Sequence, residues 1–462
     1  MNLSPAEIAA ALGAEVVAEG AAEPPQRAVI SSNEAGPSDL FFGLRGANRD
    51  GGEFAAAAID AGAWGVVVGP GFKTLFSPHS GNKGVLTEGV GAGAWVFAVD
   101  DPLAAMHALA RGWRRALGAR VVGVTGSVGK TSVKDIARAL LPGKVHASPE
   151  NWNTEIGLPL TILEAPEDTD VLVLEMAMRG PGQIAELAAI AEPEVAVITN
   201  VGPVHVELLG SIEAIAAAKA EILDDLPPSG TAIAPAEAGA LEPYLKPVAA
   251  QLRFGPGGDV EAVEVQVADG VTEALVSTPL GTQRFHFPFT EAHNLTNALA
   301  AIAAGVALGA DLAEMADRAA DIGFSRFRGE RLQLPGGIVL VNDCYNANPV
   351  SMRAALDHLA SLGAERSVAV LGEMGELGPD SAAYHREVGE HARAAGVDLV
   401  VGVGAPARDY DPDELVADPG EAAELLAARL EPGDAVLVKG SRSAGLEAVA
   451  EQLPELVEAG DG

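Results

Sequence analysis

The sequence VGVTGSVGKTS, Val122 to Ser132, joins an apolar run to a glycine-rich turn that ends on lysine, threonine and serine. A phosphate-binding loop needs backbone N–H groups that converge on the phosphate, a helix N-terminus behind them, a lysine that neutralises charge and a hydroxyl that reaches magnesium. The stretch offers all four, because the following residues, 133–141, are predicted to form a helix. It therefore predicts a nucleotide phosphate site between a buried strand and a helix.

Two glycines, one lysine and one threonine carry this prediction. Gly126 and Gly129 free the backbone, whereas Lys130 supplies the positive charge. Thr131 supplies the hydroxyl. The residue six positions before Lys130 is Val124, where the general P-loop pattern has glycine, and a strand-to-helix turn without a ligand is the structural alternative. The residues predicted to contact the nucleotide in this loop are Thr125, Gly126, Ser127, Val128, Gly129, Lys130, Thr131 and Ser132.

Short apolar runs alternate with alanine-rich helical stretches on both sides of this loop. The runs VVGVT, VLVLEMA and VAVITNV are typical of parallel strands that helices cover on both faces. Between Gln251 and Pro288, apolar and polar residues alternate, which predicts antiparallel strands appended to the parallel sheet. We therefore expect a central α/β domain of the P-loop ATPase type.

The flanking regions also have α/β patterns. The N-terminal region begins with the helical PAEIAAALGA and continues with apolar strands such as DLFFGL and AWGVVVG. After the glycine- and arginine-rich GFSRFRGERLQLPGG, strands and helices alternate again with IVLVND, SVAVLGE, DLVVGVG and AVLVKGS, which predicts a Rossmann-like domain. The predicted domains are a small α/β domain at 1–115, the central domain at 116–322 and the Rossmann-like domain at 323–462.

The composition excludes several classes of protein. With 462 residues, 48% of them hydrophobic, the chain can bury a core in each of three domains. The formal charge of −34 argues against nucleic-acid binding, because a phosphate backbone would be repelled. No apolar run approaches the roughly 20 residues of a membrane span, and no signal peptide is evident, so we expect a soluble cytoplasmic protein. Cys344, the only cysteine, excludes an internal disulfide and is expected in the core.

Polar residues follow the second and third apolar runs of the central domain. Glu175 ends VLVLE, and Asn200 and His205 come after VAVIT. Because the carboxyl ends of parallel strands meet at one edge of a sheet, these side chains are expected near Thr131. A carboxylate at this edge is suited to Mg²⁺, and the alternative is a strand-end charge paired with an arginine such as Arg179. For His205 the alternative is a structural histidine.

A series of motifs occurs in one order over nearly the whole chain. They are TGSVGKTS, ENWNTEIGLPLTIL, LEMAMRGPGQI, TNVGPVHVELLGSIEAIAAAKAEIL, HNLTNALAA, VNDCYNANPVSM, GEMGELG and VLVKGSRS. Together they resemble the Mur ligase family. The resemblance implies an N-terminal domain that binds a UDP-sugar, a central ATPase and a C-terminal Rossmann-like domain that brings the incoming amine.

The resemblance also implies a reaction. ATP phosphorylates a terminal carboxylate, and an amine attacks the acyl phosphate with release of ADP and phosphate. Among the reactions of the family, the motifs are most similar to those of the member that joins D-alanyl-D-alanine to UDP-N-acetylmuramoyl-tripeptide in peptidoglycan precursor synthesis. These two substrates are the implied partners, and we expect the chain to act as a monomer.

The catalytic and metal-binding residues of the family can be carried over where the motifs match. Lys130 and Thr131 match its phosphate lysine and magnesium hydroxyl, and Glu175 and His205 match its metal ligands. Lys219, in AAAKAEI, matches the lysine that the family carbamylates, which would turn a cation into an anion that orients magnesium. The implied cofactors are ATP, two Mg²⁺ ions and the carbamate. From the sequence alone, Lys219 would be an exposed lysine on a helix.

Further nucleotide contacts are implied along the chain. Asn294 in HNLTN matches an adenine contact, and Asp343 in VNDCYNANP matches a ribose-binding aspartate. The structural alternatives are a helix-start cap for Asn294 and a turn former for Asp343. Arg331 in GERLQ resembles an arginine that reaches the phosphates, and Lys439 in VKGSRS is a further candidate for that region.

The acceptor substrate is expected to contact two groups of residues. Asn153 and Thr154 in ENWNTEIG match an acceptor channel, and FFGLRGANRDGGEF fits the UDP-binding segment of the family. The chain departs from the family at 31–33, where Ser-Ser-Asn replaces a common Asp-Ser-Arg, and at Gly52, where histidine is frequent. The candidates on the UDP side are Ser32, Arg45, Gly46 and Asp50.

Two other functions fit part of the pattern. A paralogous ligase of the folylpolyglutamate type, or another Mur-type ligase, would use the same ATPase on a different carboxylate. A P-loop NTPase that switches a partner is the second alternative, although HNLTN and NDCYNANP lie far from the glycine loop and a whole third domain is present. Hydrolysis in such a switch would not depend on a carboxylate plus an amine.

Overall fold

The computed structural model of the chain describes residues 1–75, 93–203, 209–248 and 250–460. Within these ranges the strands form four sheets, which contain five, six, three and six strands in chain order. Helices pack against each of the larger sheets, and the three-stranded sheet belongs to the central unit. The predicted α/β class with three domains is confirmed.

The N-terminal unit is a five-stranded sheet with helices against it. Its strands are β1 Glu15–Ala18, β2 Arg27–Val29, β3 Asp39–Phe42, β4 Gly65–Val68 and β5 Trp95–Ala98, in the order β1-β5-β4-β3-β2. All pairs are parallel except β1 with β5. The helices are Pro5–Leu12, Ala55–Asp60 and Pro102–Leu117, with short 3₁₀ helices at Gly51–Phe54 and Pro70–Leu75.

The central unit contains a six-stranded parallel sheet. Its strands are β6 Arg120–Thr125, β7 Val145–Ala147, β8 Val171–Glu175, β9 Val195–Ile198, β10 Thr231–Pro235 and β11 Ala250–Phe254, in the order β11-β10-β9-β6-β8-β7. Because β8 and β9 flank β6, the carboxyl ends of these three strands meet at one edge, where ligands bind in open parallel sheets. The longer helices are Lys130–Leu140, Gly157–Glu164, Gln183–Ala191, Ile212–Ala220, Ala292–Leu308 and Leu312–Asp317. Shorter helices lie at Glu221–Leu223, Gly239–Leu241, Glu242–Leu245 and Ala319–Asp321.

The antiparallel strands predicted after Gln251 begin later than expected. Residues 250–254 form β11, which pairs in parallel with β10 at the edge of the large sheet. The antiparallel sheet consists of β12 Glu261–Ala268, β13 Val271–Thr278 and β14 Gly281–Phe287. The alternation of apolar and polar residues did not distinguish β11 from the antiparallel strands that follow it. An edge strand of a parallel sheet buries less of its surface than a central one, so it lacks a continuous apolar run.

The C-terminal unit is a six-stranded sheet of the predicted Rossmann-like type. Its strands are β15 Glu330–Leu334, β16 Ile338–Asn342, β17 Ser367–Leu371, β18 Leu399–Val403, β19 Glu414–Val416 and β20 Ala435–Lys439, in the order β15-β16-β20-β17-β18-β19. Only β15 runs antiparallel to its neighbour among these described strands. The helices are Pro349–Ser361, Ser381–Ala394, Pro419–Arg429 and Glu447–Gly460, with 3₁₀ turns at Pro335–Gly337, Gly378–Asp380, Ala405–Tyr410 and Arg442–Ala444.

The N-terminal and central units share one apolar core. The helix Pro102–Leu117 packs against the helix Gly157–Glu164, and its buried Met106 and Leu109 lie in the same cluster as Leu158. This helix runs through the predicted boundary at 115/116. Cys344 is fully buried in the C-terminal core, as predicted. Of the helices in the described ranges, none has the length and apolar character needed to cross a membrane.

Candidate active site

The glycine loop lies between β6 and the helix Lys130–Leu140, as the sequence predicts. Gly126 has φ 148° and Gly129 has φ 82°, both of which disfavour any other residue. A Cβ atom on Gly126 would lie 1.8 Å from Oγ1 of Thr199, and one on Gly129 would lie 2.4 Å from Oδ1 of Asn297. The loop is therefore packed so closely that both glycines are required by space as well as by conformation.

The end of β9 fixes the shape of this loop. The Val128 N–H donates to Oδ1 of Asn200 at 2.9 Å, and the Ser127 N–H donates to the Asn200 carbonyl at 3.0 Å. The Thr199 hydroxyl donates to the Val128 carbonyl at 2.5 Å. Asn200 thus reaches the predicted edge of the sheet, where it holds the phosphate loop.

Lys130 folds back over the loop that precedes it. Its Nζ donates to the Gly126 carbonyl at 2.8 Å and lies 3.4 Å from the Ser127 carbonyl. Burial lowers the pKa of Lys130, the negative charge of Glu175 opposes that shift, and the charge of Arg328 adds to it. The ammonium therefore lies among loop carbonyls and close to both of these charges.

Glu175, at the end of β8, is buried and held by two neutral donors. Thr131 donates its hydroxyl to Oε2 at 2.7 Å, and the Asn153 amide donates to Oε1 at 2.8 Å. Arg179 is not its partner, because that side chain is 79% exposed and its Nε lies 4.0 Å from Oε1 of Glu376. A buried carboxylate beside a hydroxyl offers the hard oxygen ligands that Mg²⁺ prefers.

Lys219 is buried, although the sequence alone suggests an exposed residue. It lies near the end of the helix Ile212–Ala220 and is only 2% exposed. Burial lowers the pKa of its ammonium well below the usual value, and the charge of Lys130 lowers it further. Over the described ranges its Nζ makes neither a hydrogen bond nor an ion pair. An unpaired ammonium here is costly, so burial favours the neutral amine.

The fourth predicted metal ligand, His205, lies outside the described residues. Among the residues that the structure does describe, no group of three or more histidine, cysteine, aspartate or glutamate side chains could hold a metal ion. The described part of the predicted set is therefore the Thr131 and Glu175 pair with the buried Lys219.

Asn294 is buried near the start of the helix Ala292–Leu308, but it does not cap that helix. The N-cap position is Glu291, and Asn294 is the third residue of the helix proper. Its Nδ2 lies 3.4 Å from Oε2 of Glu291, and its Oδ1 accepts from Nδ2 of Asn297 at 3.3 Å. The helix-cap alternative does not hold, because Glu291 takes that position. The Asn294 amide lines the cavity and keeps one N–H and one lone pair that these contacts do not use.

Asp343 and Lys439 form an ion pair at the ends of β16 and β20. Nζ of Lys439 donates to Oδ2 of Asp343 at 2.6 Å and to the Asn346 carbonyl at 3.0 Å. Lys439 is 2% exposed, whereas the Asp343 side chain is 24% exposed and lines the cavity. The structure therefore makes Lys439 the buried counter-ion of Asp343.

The structure brings Arg328 to the cavity, and Arg331 does not line it. Arg331 lies in β15 opposite Val341 and is exposed. The Arg328 guanidinium lies 4.0 Å above the ring of Tyr345, and its buried Nε has no hydrogen-bond partner. The segment before β15 has no periodicity that would show which of its arginines points inward, so sequence reasoning missed Arg328.

Most of these side chains line two adjoining cavities between the central and C-terminal units, whereas Lys219 and Arg331 are not among the residues that line them. The larger has a volume of about 850 Å³ and the smaller about 660 Å³. The larger cavity is lined on the central side by residues such as Lys130, Thr131, Asn153, Thr154, Glu175 and Asn294, and on the C-terminal side by Arg328, Asp343, Tyr345, His358 and Lys439. The smaller is lined by Lys130, Arg179, Arg326, Arg328 and Arg442 among others. In a chain of charge −34, these cations are concentrated where an anionic substrate would bind.

The candidates for UDP binding lie apart from both cavities, in the N-terminal unit. The Asp50 carboxylate accepts the Gly52 N–H at 2.9 Å, and Gly46 closes a turn by donating to the Arg49 carbonyl at 2.9 Å. A Cβ atom on Gly52 would lie 2.4 Å from the ring of Phe72. Phe72 thus occupies the space that a histidine at this position would need.

Comparison with known proteins agrees with this geometry. Residues 124–305 match the Mur ligase middle domain, and residues 327–442 match the Mur ligase, glutamate ligase domain. A UDP-N-acetylmuramoyl-tripeptide–D-alanyl-D-alanine ligase from Synechocystis is 38% identical over 90% of this chain and 89% of its own length. The fold is similar to MurF from Acinetobacter baumannii, with TM-score 0.86, 26% identity and coverage of 98% and 99% of the two chains. It is also similar to MurF from Thermotoga maritima in complex with ADP, with TM-score 0.78, 30% identity and coverage of 94% and 98%.

Proposed function

Because this chain belongs to the Mur ligase family, we propose that it joins D-alanyl-D-alanine to UDP-N-acetylmuramoyl-tripeptide with ATP, in peptidoglycan precursor synthesis. The observation that carries the proposal is the cavity in which the phosphate loop and Glu175 lie opposite Asp343 and Arg328. A nucleotide can contact both domains there, and an amine brought by the C-terminal domain reaches the same place. The chain is accordingly an ATP-dependent ligase that forms ADP and phosphate.

The reaction proceeds through an acyl phosphate. The terminal carboxylate of the tripeptide attacks the γ-phosphorus of ATP, and ADP leaves. The amine of D-alanyl-D-alanine then attacks the acyl carbon and loses a proton, the bond between that carbon and the phosphate oxygen breaks, and phosphate departs. Neither step needs a protein nucleophile, so the work of the protein is to position the reactants and stabilise negative charge.

Cations from two domains meet the phosphates in this proposal. The loop N–H groups and Lys130 hold the phosphates from the central side, and Arg328 reaches them from the C-terminal side. Among the described residues the buried Nε of Arg328 has no hydrogen-bond partner, which supports this role, since a free N–H of a guanidinium in a cavity is suited to an anion. In this proposal Asp343, which Lys439 anchors, accepts from the ribose hydroxyls, and Asn294 contacts the adenine.

The residues present fit magnesium, for which we propose two ions. Thr131 and Glu175 would hold one through their adjacent oxygens, with Asn153 steadying the carboxylate. A carbamate on Lys219 would provide a further anion, and the burial of this lysine without a partner supports the modification. His205 remains a proposed ligand from outside the described residues. Bound magnesium would neutralise phosphate oxygens while the γ-phosphoryl group is transferred.

The acceptor is proposed to extend from this cavity toward the N-terminal unit. Asn153 and Thr154 line the cavity on the side where the tripeptide carboxylate must enter. We propose that the UDP end of this substrate binds to Ser32, Arg45, Gly46 and Asp50. The N-terminal unit presents these four residues outside both cavities, as expected of a site for the far end of a long substrate. We also propose that the enzyme acts as a monomer in the cytoplasm.

The alternative functions have less support. A nucleotide-dependent switch does not require a third domain that supplies Asp343 and Arg328 to the nucleotide cavity. A paralogous ligase would share the ATPase, but relatives at 38% and 34% identity over 90% and 91% of the chain are UDP-N-acetylmuramoyl-tripeptide–D-alanyl-D-alanine ligases.

The test is the dependence of phosphate release on both co-substrates. We expect the purified protein with ATP and Mg²⁺ to release phosphate only when UDP-N-acetylmuramoyl-tripeptide and D-alanyl-D-alanine are both present. Mass spectrometry should then detect the UDP-linked pentapeptide. The matched controls replace the tripeptide by the UDP-linked dipeptide, and D-alanyl-D-alanine by D-alanine. Equal phosphate release without the two substrates would contradict a ligase, and equal product from the controls would contradict this substrate pair.

A further inference from the structure

A buried carboxylate links the C-terminal domain to the residue proposed to contact adenine. Glu291, which precedes the helix Ala292–Leu308, is 6% exposed, and His358 on the C-terminal helix Pro349–Ser361 is 7% exposed. Nε2 of His358 lies 3.1 Å from Oε1 of Glu291. The other carboxylate oxygen, Oε2, accepts the Thr290 N–H at 3.1 Å and lies 3.4 Å from Nδ2 of Asn294. The carboxylate thus faces a residue of the other domain and the Asn294 amide at once.

Two amides continue this chain toward the phosphate loop. Oδ1 of Asn294 accepts from Nδ2 of Asn297 at 3.3 Å. Oδ1 of Asn297 in turn lies against Gly129, since a Cβ atom at that glycine would be 2.4 Å away from it. A hydrogen-bonded chain therefore runs from Glu291 through Asn294 to Asn297. His358 faces one end of this chain, and Gly129 of the loop lies beside the other.

In this hydrogen-bonded chain of side chains, only the carboxylate of Glu291 fixes which groups donate and which accept. Each asparagine amide can do both, so the two amides could rotate by 180° together and still be hydrogen-bonded to each other. An ionised carboxylate can only accept, which requires Asn294 to present its NH₂ group to Glu291 and its oxygen to the other side. Within the described ranges, the titratable groups that face Glu291 are His293 on its own helix and His358 from the other domain. Both are histidines, so neither provides a carboxylate that could replace that of Glu291.

The direction of the Asn294 amide matters for base recognition. An asparagine that recognises adenine accepts from the 6-amino group with its oxygen and donates to N7 with its nitrogen. Asn294 keeps a second N–H and a second lone pair for these bonds after contacting Glu291 and Asn297. A hypoxanthine or guanine base has an oxygen at position 6, which would face the fixed amide oxygen and be rejected.

We propose that Glu291 is a specificity-determining residue that sets the orientation of the Asn294 amide and so selects adenine over 6-oxopurines, and that His358 keeps it in place from the C-terminal domain. The proposal rests on the proposed function only in taking Asn294 as the base contact. Glu291 acts through Asn294 and is a positioning residue. Because His358 belongs to the other domain, base selection is coupled to the docking of the two domains.

The first test compares ADP with IDP, which differ in the base. Binding is measured by calorimetry on the whole protein, so no turnover is needed. We expect the wild type to bind ADP at least about tenfold more tightly than IDP, the effect of one bidentate base contact. Glu291→Gln keeps the shape but allows the amide chain to reverse, so the ADP preference should fall at least about fivefold, mainly through weaker ADP binding. A wild type without preference, or a variant that keeps the full preference, overturns the proposal.

The second test uses His358→Leu, which replaces the imidazole that faces Oε1 by an apolar side chain and leaves Glu291 intact. A buried carboxylate with an apolar neighbour takes up a proton more readily, and a protonated carboxyl can donate and no longer sets the direction. The ADP preference of this variant should fall as the pH decreases from 9 to 6, whereas that of the wild type should stay constant. A preference independent of pH in the variant contradicts the role of His358.

Asp357→Asn is the matched control. Asp357 precedes His358 on the helix Pro349–Ser361, is exposed and is not among the residues that line the cavity. Its carboxylate lies 2.7 Å from Nε2 of His391 on the helix Ser381–Ala394. We expect its ADP preference to equal that of the wild type, and a loss there would reassign the effect to the helix as a whole. Failure of ligation together with normal ADP selectivity would contradict the proposed function alone, because these binding measurements contain no acceptor substrate.

Discussion

The Thr131 hydroxyl donates to Oε2 of Glu175 at 2.7 Å, although 44 positions separate the two residues in the sequence. The first residues of the helix that follows β6 bring Thr131 to the end of the neighbouring strand β8, and both side chains are buried. This contact joins the phosphate loop to the proposed magnesium site. In the proposed site, the hydroxyl and the carboxylate would therefore bind the same ion.

Glu175→Gln should lower kcat by at least about 100-fold, because the neutral amide keeps the size of the side chain but loses the charge that attracts magnesium. The half-saturating Mg²⁺ concentration should rise as well. Both are obtained from initial rates over a magnesium titration. Glu192→Gln, a surface carboxylate of the same domain that pairs with Arg115, should leave both values unchanged. Normal rates with an unchanged magnesium requirement in Glu175→Gln would exclude Glu175 as a ligand.

Lys219→Ala should abolish turnover, because the variant cannot form the carbamate. Added short carboxylic acids should restore part of the activity by placing an anion in the vacated space. Lys246→Ala, at an exposed position of the same domain, is the control and should be as active as the wild type. The assignment fails if Lys219→Ala is fully active, or if it is inactive and no carboxylate restores turnover while its thermal unfolding is unchanged.

Gly129→Ala should weaken ADP binding by more than about tenfold. The backbone at this position has φ 82°, which disfavours alanine, and the new Cβ atom would lie 2.4 Å from Oδ1 of Asn297. The loop must change its conformation to relieve the backbone strain and this clash. Gly71→Ala is the control, because nothing lies within 4 Å of its Cβ position. Calorimetric titration with ADP measures the effect. Wild-type affinity in Gly129→Ala would mean that the loop does not hold phosphate in this conformation.

The pKa of Glu291 predicts how stability depends on pH. Burial raises this pKa, but contact with His358 outweighs burial and lowers it from 4.5 to about 2. Because folding lowers the pKa of Glu291, its ionised form stabilises the folded state at pH values above 4.5, the pKa in the unfolded chain. This contribution is lost as the pH falls from 4.5 toward 2. At neutral pH the contribution is of the order of 3 kcal/mol.

Denaturant unfolding of the wild type and Glu291→Gln at several pH values measures this contribution. The difference in unfolding free energy should be constant from pH 7 to about 5.5 and shrink below that range, because the other carboxylates contribute equally to both proteins. A constant difference down to the pH at which the wild type unfolds would show that Glu291 is not held ionised by its neighbour.

Most of the fold and the phosphate loop could be predicted from the sequence. Continuous apolar runs such as VVGVT belong to strands that are buried on both faces. Burial on both faces requires consecutive apolar residues, so it is visible in the local sequence. The loop was predictable for the same reason, since Gly126, Lys130 and Thr131 are adjacent in the chain. The short edge strands Glu414–Val416 and Ala250–Phe254 were not identified, because an edge strand buries little surface and so imposes little pattern.

The candidate site was predictable where a residue ends a strand and not where it belongs to a loop or a helix. Glu175 ends a buried run, so its position at the edge of the sheet follows from the topology. Lys219 has a helical neighbourhood of alanines, and nothing local distinguishes a buried lysine there from an exposed one. Arg328 lies in the irregular segment before β15 and Arg331 lies three positions later in β15 itself, and only the turn into this strand determines which one faces the cavity.

The sequence by itself determined the α/β class, the order of the strands along the chain and the position of the glycine loop between a strand and a helix. These follow from periodicity and from neighbours in the chain. The tertiary structure alone decided which distant groups meet: Lys439 with Asp343, and Glu291 with His358 across two domains. Such pairs carry no sequence signal, because a charge becomes a buried partner only when packing removes water from both sides of it.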